Sequence, residues 1–511
     1  MDHFPVKDPR GTSDLSRRRA LVHVLRAALA AAALTSCVGG TVPDPTPAPP
    51  LLFSADDGAH GVEPWLTDGT AAGTRLLADI APGPASGSDF LRVWFALDGA
   101  LVFNARPGGA GTDALHRSDG TSAGTESIAA GVALPAFGAF ALGDVAVFSN
   151  DVHANSGLYR SDGTAAGTVR LGDAVQGLFT GVRVPKAPAH LRHRVGDGAV
   201  FVVYEGELLR VDAAGAETLH VFDDRCIQSR HVGVLGTVLF FSVADPFEHP
   251  VTGIAQDARC ELWRFDTALD APPAVHRSFT LMPDQRADVT GFAEKGGWLY
   301  YNLVVNAVSD LGGWAVVTRQ VRATNGTPAP PDTLLDDEGD VLVPIDPAAG
   351  WGFHFLQRAP DEPIYLFGAN ADTGYASALA LLHTDGGAPW IEVVDAGLAS
   401  TNEVEASFTW VGEHLVYRIP GESGGLFSVR NGSTEVATLV SGADALVWTV
   451  LLPDPYADRL AAWFDEPAAA AGLPGTVLVS SLFVTDGTPE GTSRVATFCY
   501  QTYYGCSSGE D

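Results

Sequence analysis

The chain contains 511 residues, of which 46% are hydrophobic and 9% aromatic, so it has enough apolar material to fold around a large core and is not a disordered chain. Its formal net charge is −30, and such an acidic surface argues against binding to nucleic acid and against electrostatic docking onto anionic lipid. A soluble, non-adhesive surface explains the acidity most simply.

The first 36 residues have the pattern of an export signal. Arginines at 17–19 precede a short apolar stretch that Arg26 interrupts. Because its fifteen residues are too few to span a bilayer, we expect residues 1–36 to be a cleaved signal peptide. The hexapeptide SRRRAL at 16–21 is also similar to the twin-arginine export motif, but Ala20 replaces the usual bulky residue, so the export route stays open.

The signal ends in the tetrapeptide LTSC at 34–37. This tetrapeptide resembles the bacterial lipobox, and the resemblance implies that Cys37 becomes the lipidated first residue of the mature chain. An ordinary secretion signal with an incidental cysteine is the alternative. Residues 37–50 are predicted to form a tether, because five prolines in the last thirteen residues favour extended polyproline II structure at about 3.1 Å per residue.

One phrase returns four times between residues 51 and 500. WLTDGTAAGT at 65–74 is followed by HRSDGTSAGT, YRSDGTAAGT and FVTDGTPEGT. Their turns lie at Asp68, Gly69 and Thr70; Asp119, Gly120 and Thr121; Asp162, Gly163 and Thr164; and Asp486, Gly487 and Thr488. Weaker copies turn at Asp212, Asp266, Asn325, Asp385 and Asn431. The nine positions are about 52 residues apart on average, which is close to the period of propeller blades.

The segments around each turn have the pattern of β-strands. Short apolar runs such as LLFSAD, ALVFNA and VAVFSN are bounded by Gly, Asp and Asn, and Asp-Gly suits a tight turn between antiparallel strands. We therefore predict an all-β fold over residues 51–500, a single β-propeller of about seven to nine four-stranded blades with eight or nine preferred. Two smaller propellers or an open array are the alternatives, and residues 501–511 form a C-terminal tail.

Two segments connect these repeats to a known family. VEPWLTDGTAAGTRLLADI at 62–80 has Pro64 where a leucine is usual, and ELWRFDT at 261–267 lacks the glycine. The repeats resemble those of the bacterial ELWxxDGTxxGT, or hyalin-like, repeat proteins. The resemblance implies β-propeller-like repeats in a secreted or lipid-anchored surface protein, and it brings no catalytic residues to this chain.

The two ends of the repeat region differ. The first repeat begins at Leu51 without a preceding strand, whereas the last has a full upstream set, so we expect a final strand to complete the first sheet. The remaining cysteines, Cys226, Cys260, Cys499 and Cys506, are even in number in an exported chain and predict disulfides. Three connectivities are open, and the pairs closest in sequence, 226 with 260 and 499 with 506, are favoured.

Acidic clusters supply the better candidate metal ligands. Asp56, Asp57, Asp151, Asp336 and Asp337 offer the oxygen ligands that calcium prefers, but their spacing fits no named site, and solvated acidic loops are the alternative. No other cofactor is predicted. The pentapeptide GESGG at 421–425 matches the nucleophile elbow GxSxG, but strands flank it where a strand and a helix are required, so a hairpin loop is favoured.

No catalytic constellation is evident in the sequence, so an enzyme is the less favoured reading. We expect a lipid-anchored protein of the bacterial cell envelope that contacts the membrane only through its anchor. Its propeller is predicted to be a binding module for a protein or glycan partner. The alternatives are a secreted form, an exported hydrolase or lyase with a site in the central channel, and a purely structural or adhesive module.

Overall fold

The computed structural model contains strands and no helix among the residues that it describes. Those residues are 50–88, 94–108, 113–134, 139–142, 144–150, 155–173, 199–204, 207–222, 232–248, 255–269, 271–279, 285–308, 314–326, 351–359, 361–370, 375–384, 390–396, 408–419, 425–441, 451–453, 458–467, 478–499, 501–502 and 505–506. The chain divides into two units, Met1–Pro49 and Pro50–Asp511, and every described residue belongs to the second. Within these ranges no helix is long and apolar enough to cross a bilayer.

The described strands form nine small antiparallel sheets, which we number along the chain, and one short hairpin. Sheet 1 contains β1 (Leu51–Asp56), β2 (Val62–Thr67) and β3 (Arg75–Leu76); sheet 2 contains β4 (Trp94–Leu97), β5 (Ala100–Ala105), β6 (Ala114–Ser118) and β7 (Thr125–Ala130); sheet 3 contains β8 (Ala139–Leu142), β9 (Val145–Asn150), β10 (Gly157–Ser161) and β11 (Val169–Gly172). Sheet 4 contains β12 (Ala199–Tyr204), β13 (Glu207–Asp212) and β14 (Gly215–Val221); sheet 5 contains β15 (Val232–Leu235), β16 (Val238–Glu248), β17 (Ala255–Asp266) and β18 (Ala274–Ser278); sheet 6 contains β19 (Gln285–Lys295), β20 (Trp298–Val308) and β21 (Trp314–Thr324). Sheet 7 contains β22 (Trp351–Leu356), β23 (Ile364–Asn370), β24 (Tyr375–His383) and β25 (Trp390–Ala396); sheet 8 contains β26 (Phe408–Val411), β27 (His414–Ile419), β28 (Gly425–Arg430) and β29 (Val436–Ser441); sheet 9 contains β30 (Leu451–Pro453), β31 (Leu460–Pro467), β32 (Leu478–Thr485) and β33 (Ser493–Cys499). The hairpin is β34 (Gln501–Thr502) with β35 (Gly505–Cys506).

The prediction of an all-β chain built from small antiparallel sheets is confirmed. In every sheet the strands lie side by side in chain order, as expected when hairpins connect neighbours. The expectation that a final strand completes sheet 1 is wrong for the described residues. Strand β33 pairs with β32, and the described strands of sheet 1 all come from residues 51–76.

A β-bulge recurs where the outer strand meets its neighbour. In sheet 3, Leu158 is opposite Gly172 and Tyr159 is opposite Arg170, so Leu171 is an extra residue. The corresponding extra residues are Ile128, Leu171, Leu219, His276, Val394, Leu439 and Val495. All except His276 are apolar and pack in the core cluster that joins their sheet to the next. The bulge thus aims one outer-strand side chain at the neighbouring sheet.

The core is divided among the contacts between sheets. One cluster of buried apolar side chains joins each consecutive pair, from sheets 1 and 2 to sheets 8 and 9. A further cluster joins sheet 9 to sheet 1, where the ring of Phe53 packs edge-on against Trp463 and Phe498. Each sheet therefore covers its two faces with its neighbours, because a small sheet cannot bury both faces alone.

Buried polar side chains hold the connections between sheets. The carboxylate of Glu63 is fully buried and accepts N–H groups of Ile80, Ala81 and Gly87 at 2.8–3.0 Å. Burial raises the pKa of Glu63 to about 7, although these three N–H groups oppose the rise. In sheet 2 the amide of Asn104 holds the following connection in the same manner, bonding both the N–H and the carbonyl of Leu134.

Candidate functional site

The repeated phrase folds into a turn closed by its own side chains. In sheet 1, Oδ1 of Asp68 accepts the backbone N–H and the hydroxyl of Thr70 at 2.9 and 2.7 Å. The Thr70 hydroxyl oxygen accepts the N–H of Gly73, and the Thr74 hydroxyl lies 2.7 Å from that of Thr67. The same bonds occur at Asp119, Asp162 and Asp486. Backbone N–H groups that leave the strand ladder are thereby satisfied.

The two glycines of the phrase have different tasks. Gly69 has a φ of 90°, a left-handed conformation that costs little only for glycine. Gly73 leaves no room for a side chain, because a Cβ there would lie 2.1 Å from the Asp68 carboxyl group. The geometry of the turn thus explains why Asp, Gly and Thr recur in the phrase. These side chains have structural roles in closing the turn.

A side chain of the preceding sheet donates to the backbone of the following turn. Arg75 of sheet 1 donates to the carbonyl of Gly120 in sheet 2 at 2.6 Å, and Arg264 of sheet 5 donates to Gly326 after sheet 6 at 2.6 Å. Between sheets 9 and 1, Arg459 donates to the carbonyl of Asp68 at 2.8 Å. The contact between sheet 9 and sheet 1 therefore has the same donor-to-turn direction as the contacts between sheets that are consecutive in the chain.

Between sheets 8 and 9 a short side chain replaces the arginine. The hydroxyl of Ser428 donates to the carbonyl of Gly487 at 2.7 Å. A cavity of about 600 Å³ lies beside the contact. Its walls are Arg358, Glu413, His414, Ser428, Arg430, Asn431, Gly432, Ser433, Glu435, Ala437, Gly487, Thr488, Pro489 and Glu490. This cavity is our candidate site, and we call it the 8–9 cavity.

One end of the 8–9 cavity is a fixed polar network. The guanidinium of Arg358 donates through two nitrogens to the carboxylate of Glu362, which lies behind the wall, and through Nη1 to the carbonyl of Gly412 at 2.9 Å. This bonding to Glu362 raises the pKa of Arg358. The amide nitrogen of Asn431 also donates to Glu362, at 2.8 Å. Because a carboxylate only accepts, the bond orients the amide, and its buried Oδ1 has no hydrogen-bond partner in the described part of the chain.

The acidic wall residues are of two kinds. Glu413 is paired with Arg430, whose Nη2 lies 2.9 Å from its Oε2. Glu435 and Glu490 are exposed, and their carboxylates have no ion pair within the described ranges. The cavity therefore combines two neutralised arginines with two uncompensated negative charges.

The sequence-predicted metal ligands do not converge in the described region. The carboxylate of Asp56 accepts the N–H of Gly58, and that of Asp57 accepts the N–H groups of Ala59 and His60. Across the described ranges no group of three or more His, Cys, Asp or Glu side chains is placed to hold a metal ion. Asp151, Asp336 and Asp337 lie outside the described residues, and calcium stays a prediction.

Three of the five cysteines lie among the described residues. Cys37 and Cys226 lie outside the described residues. Cys260 is opposite Ala244 in sheet 5, Cys499 ends β33, and Cys506 is opposite Gln501 in the terminal hairpin. Lipidation and both disulfides stay predictions.

Sequence reasoning found the turns but missed the 8–9 cavity. The sequence marks Asn431 only as an eroded turn, and Glu435 and Glu490 belong to no motif. A signal was nevertheless present, because the eroded turn of sheet 8 faces the intact phrase of sheet 9. Such a mismatch between neighbouring repeats marks a place where one interface differs from the others.

Comparisons with known proteins add little to this description. No protein-family model matches the chain, and no curated protein matches it in sequence. Among solved structures, a eukaryotic initiation factor is 10% identical with a TM-score of 0.47, over 88% of this chain and 98% of that one. A prolyl endopeptidase is 10% identical (TM-score 0.37, 82% of this chain and 50% of that one), and oligopeptidase B from Trypanosoma brucei is 13% identical (TM-score 0.38, 79% and 54%). This chain spans about half the length of those two peptidases, and similarities at this level carry no argument about its activity.

Proposed function

We propose that the protein is a closed nine-bladed β-propeller that serves as a lipid-anchored binding module of the bacterial cell envelope. Two observations support nine blades in a closed ring. An apolar cluster joins each consecutive pair of sheets and also joins sheet 9 to sheet 1. In addition, Arg459 binds the turn of sheet 1 as Arg75 binds the turn of sheet 2, so the order of contacts continues across the chain ends.

The anchor is supported by the sequence at the amino-terminal end. An arginine-led apolar segment, the tetrapeptide LTSC and a proline-rich tether follow one another, which is the order that export, lipidation and display of a domain require. We expect radiolabelled palmitate to be incorporated into the full chain in a bacterial host and to be absent from Cys37→Ala. Cys506→Ala is the control and keeps its label, while release of the unmodified wild-type chain into the medium would contradict the anchor.

The binding function rests on the 8–9 cavity. Its volume of about 600 Å³ is in the range of ligand sites, which are concave and carry a few fixed polar groups. The Arg358 network and the self-closed turn at Asp486 hold its walls in place before any ligand arrives. A preformed polar cavity of this kind loses little entropy on binding, and we assign it to a protein or glycan partner.

Filling the cavity tests this assignment. Ala437 of β29 lies in the wall and is opposite Ser428, so Ala437→Trp places an indole ring in the space. Ser127→Trp is the control, because Ser127 is an exposed residue on the outer strand of sheet 2, opposite His116 and remote from the cavity wall. Full-length protein in detergent is applied to glycan and peptide arrays.

We expect the wild type and Ser127→Trp to bind the same ligands and Ala437→Trp to lose them by at least tenfold. Ligands retained by Ala437→Trp would move the site away from the cavity. If the wild type binds nothing on either array, the binding module is wrong and a structural or adhesive module replaces it.

A further inference from the structure

The buried carboxyl group of Glu63 holds the connection between sheets 1 and 2. Residues 77–88 of this connection are described, and we call them the 77–88 segment. Oε1 of Glu63 accepts the N–H groups of Ala81 and Gly87 at 3.0 and 2.8 Å, and Oε2 accepts that of Ile80 at 3.0 Å. A Cβ at Gly87 would lie 2.5 Å from Oε1. The segment is therefore folded closely around the carboxyl group.

No positively charged side chain contacts this carboxyl group in the described part of the chain. Asp79 of the same segment carries a charge of the same sign and raises the pKa of Glu63 further. Sheet 9, which packs against sheet 1, contacts it through apolar side chains. The other charged groups on the neighbouring elements are bonded elsewhere: His60 to Asp57, Asp56 to the backbone of Gly58, and Arg106 of sheet 2 to Asp113.

The next connection along the chain is held by neutral amides. Between sheets 2 and 3, the amide of Asn104 bonds both the N–H and the carbonyl of Leu134. Asn150 accepts the N–H of Ala133 and donates to the carbonyl of Gly131. An amide does not ionise, so these bonds do not depend on pH. The bonds of a buried carboxyl group do, because its ionised form is buried without a counter-charge.

We infer that the 77–88 segment is a pH-sensitive element, held on sheet 1 while Glu63 is protonated and loosened when Glu63 ionises. In the protonated form Oε1 still accepts the N–H groups of Ala81 and Gly87, while Oε2 carries the proton. None of these residues lines the 8–9 cavity, so this inference and the proposed binding function can fail independently.

The direction of the response follows from the balance at the carboxyl group. Burial without a counter-charge disfavours the ionised form, and the three N–H groups favour it. Burial has the larger effect and raises the pKa of Glu63 from 4.5 to about 7. The stabilisation of the closed segment is therefore complete below about pH 4.5 and is lost as the pH rises through about 7.

Hydrogen exchange of the full-length protein in detergent, measured by mass spectrometry between pH 5 and 8, tests this inference. Protection of the 77–88 segment, corrected for the intrinsic exchange rate, should fall in the wild type by roughly fifty- to a hundredfold across this range. That is the change required by a pKa of about 7 in the closed segment and 4.5 in the open one. Residues 131–134, held by Asn104 and Asn150, should keep constant protection.

Three variants separate Glu63 from other titrating groups. Glu63→Gln is a neutral isostere of the protonated side chain and should keep the segment protected at every pH. Gly87→Ala places a methyl group where Oε1 lies and should leave the segment weakly protected at every pH. His60→Gln is the matched control and should behave as the wild type. His60 has a raised pKa, chiefly because of its hydrogen bond to Asp57, but it makes no described bond to the segment.

Constant protection of the 77–88 segment in the wild type would overturn the inference. A pH dependence that Glu63→Gln keeps and His60→Gln loses would also overturn it. If Glu63→Gln does not fold, carbon NMR of the wild type decides the question. The carboxyl carbon of Glu63 should then titrate near pH 7, and a midpoint at about 4.5 or below would contradict the inference.

Discussion

Sheet 9 contacts sheets 1 and 8 through turns of the same kind, but the side chains that bind these turns differ. Toward sheet 1, the long side chain of Arg459 reaches the carbonyl of Asp68 and packs near Gly69. Toward sheet 8, the short hydroxyl of Ser428 reaches Gly487, and the 8–9 cavity lies beside it. The repeated phrase fixes the acceptor in each case, while the donor is free to vary. The two interfaces therefore differ in the side chain that contacts the turn, and a cavity is described beside the shorter one.

The largest expected effect comes from breaking the contact between sheets 9 and 1. Phe53 is fully buried and packs on Trp463 and Phe498, so Phe53→Ala should lower the free energy of unfolding by about 3–5 kcal/mol. Phe148→Ala is the matched variant, because Phe148 is fully buried in the cluster between sheets 2 and 3. Urea unfolding should give similar losses for both. A loss below about 1 kcal/mol for Phe53→Ala alone would show that the chain ends are not joined as firmly as internal sheets.

The next effect comes from shortening the donor between sheets 9 and 1. Arg459→Ser shortens the donor at the turn of sheet 1 and leaves the Asp68 carbonyl without it, which should cost about 1–2 kcal/mol. Arg117→Ser is the control, because Arg117 lies on β6 of sheet 2 and its side chain makes no described hydrogen bond to a neighbouring turn. Chemical unfolding of both variants measures the difference. Equal costs would mean that the bond from Arg459 to the turn contributes nothing specific.

A smaller effect, of opposite sign, is expected between sheets 5 and 6, where Arg264 reaches the following turn as Arg459 does. The bulge residue here is His276, which is buried, and its Nδ1 has no hydrogen-bond partner among the described residues. Burial, aided by Arg277 and Arg264, lowers the pKa of His276 to about 4, so the ring is neutral at pH 7.

His276→Leu introduces a residue type found at other bulges and removes the unsatisfied nitrogen, at the loss of the 2.9 Å bond from Nε2 to Thr324. We expect a net gain of about 1 kcal/mol in the free energy of unfolding at pH 7, measured by urea unfolding. A loss of stability would mean that the bond to Thr324 outweighs the buried nitrogen. His276→Gln, which keeps a polar group at this position, should show no gain.

The sequence was sufficient for the local structure and insufficient for the site. Strands and turns could be predicted because Asp68, Gly69 and Thr70 bond to one another within a few residues, so their pattern is complete in a short window. The 8–9 cavity depends on Ser428 meeting Gly487 across 59 positions, and no local pattern encodes that distance. The prediction of a closing strand is wrong among the described residues for a related reason. The ends of the repeat region meet through side chains such as Phe53 and Trp463, which look like any other core residues in the sequence.

The smallest expected effect is a loss of stability at acidic pH that affects the turn of sheet 1 but not the turn of sheet 8. Bonds from the hydroxyl and the backbone N–H of Thr70 lower the pKa of Asp68 below its usual value of 3.8. Because folding lowers this pKa, the ionised Asp68 carboxylate stabilises the folded state fully above about pH 4. This contribution is lost as the pH falls through the folded-state pKa. Because Asp68 is exposed, we expect only a few tenths of a kcal/mol. The turn of sheet 8 has Asn431 in this position, so it should not respond.

The chemical shift of the Thr70 amide reports this titration directly. We expect it to move between pH 5 and 2 in the wild type and to stay constant in Asp68→Asn, while the Ser433 amide of sheet 8 stays constant in both. The positive charge of Arg459 also lowers the pKa of Asp68, so the midpoint should move upward in Arg459→Ser. An unchanged midpoint would mean that the Arg459 guanidinium is too well screened at the carboxylate to act on it. In that case its contribution at this interface is limited to the hydrogen bond with the carbonyl of Asp68.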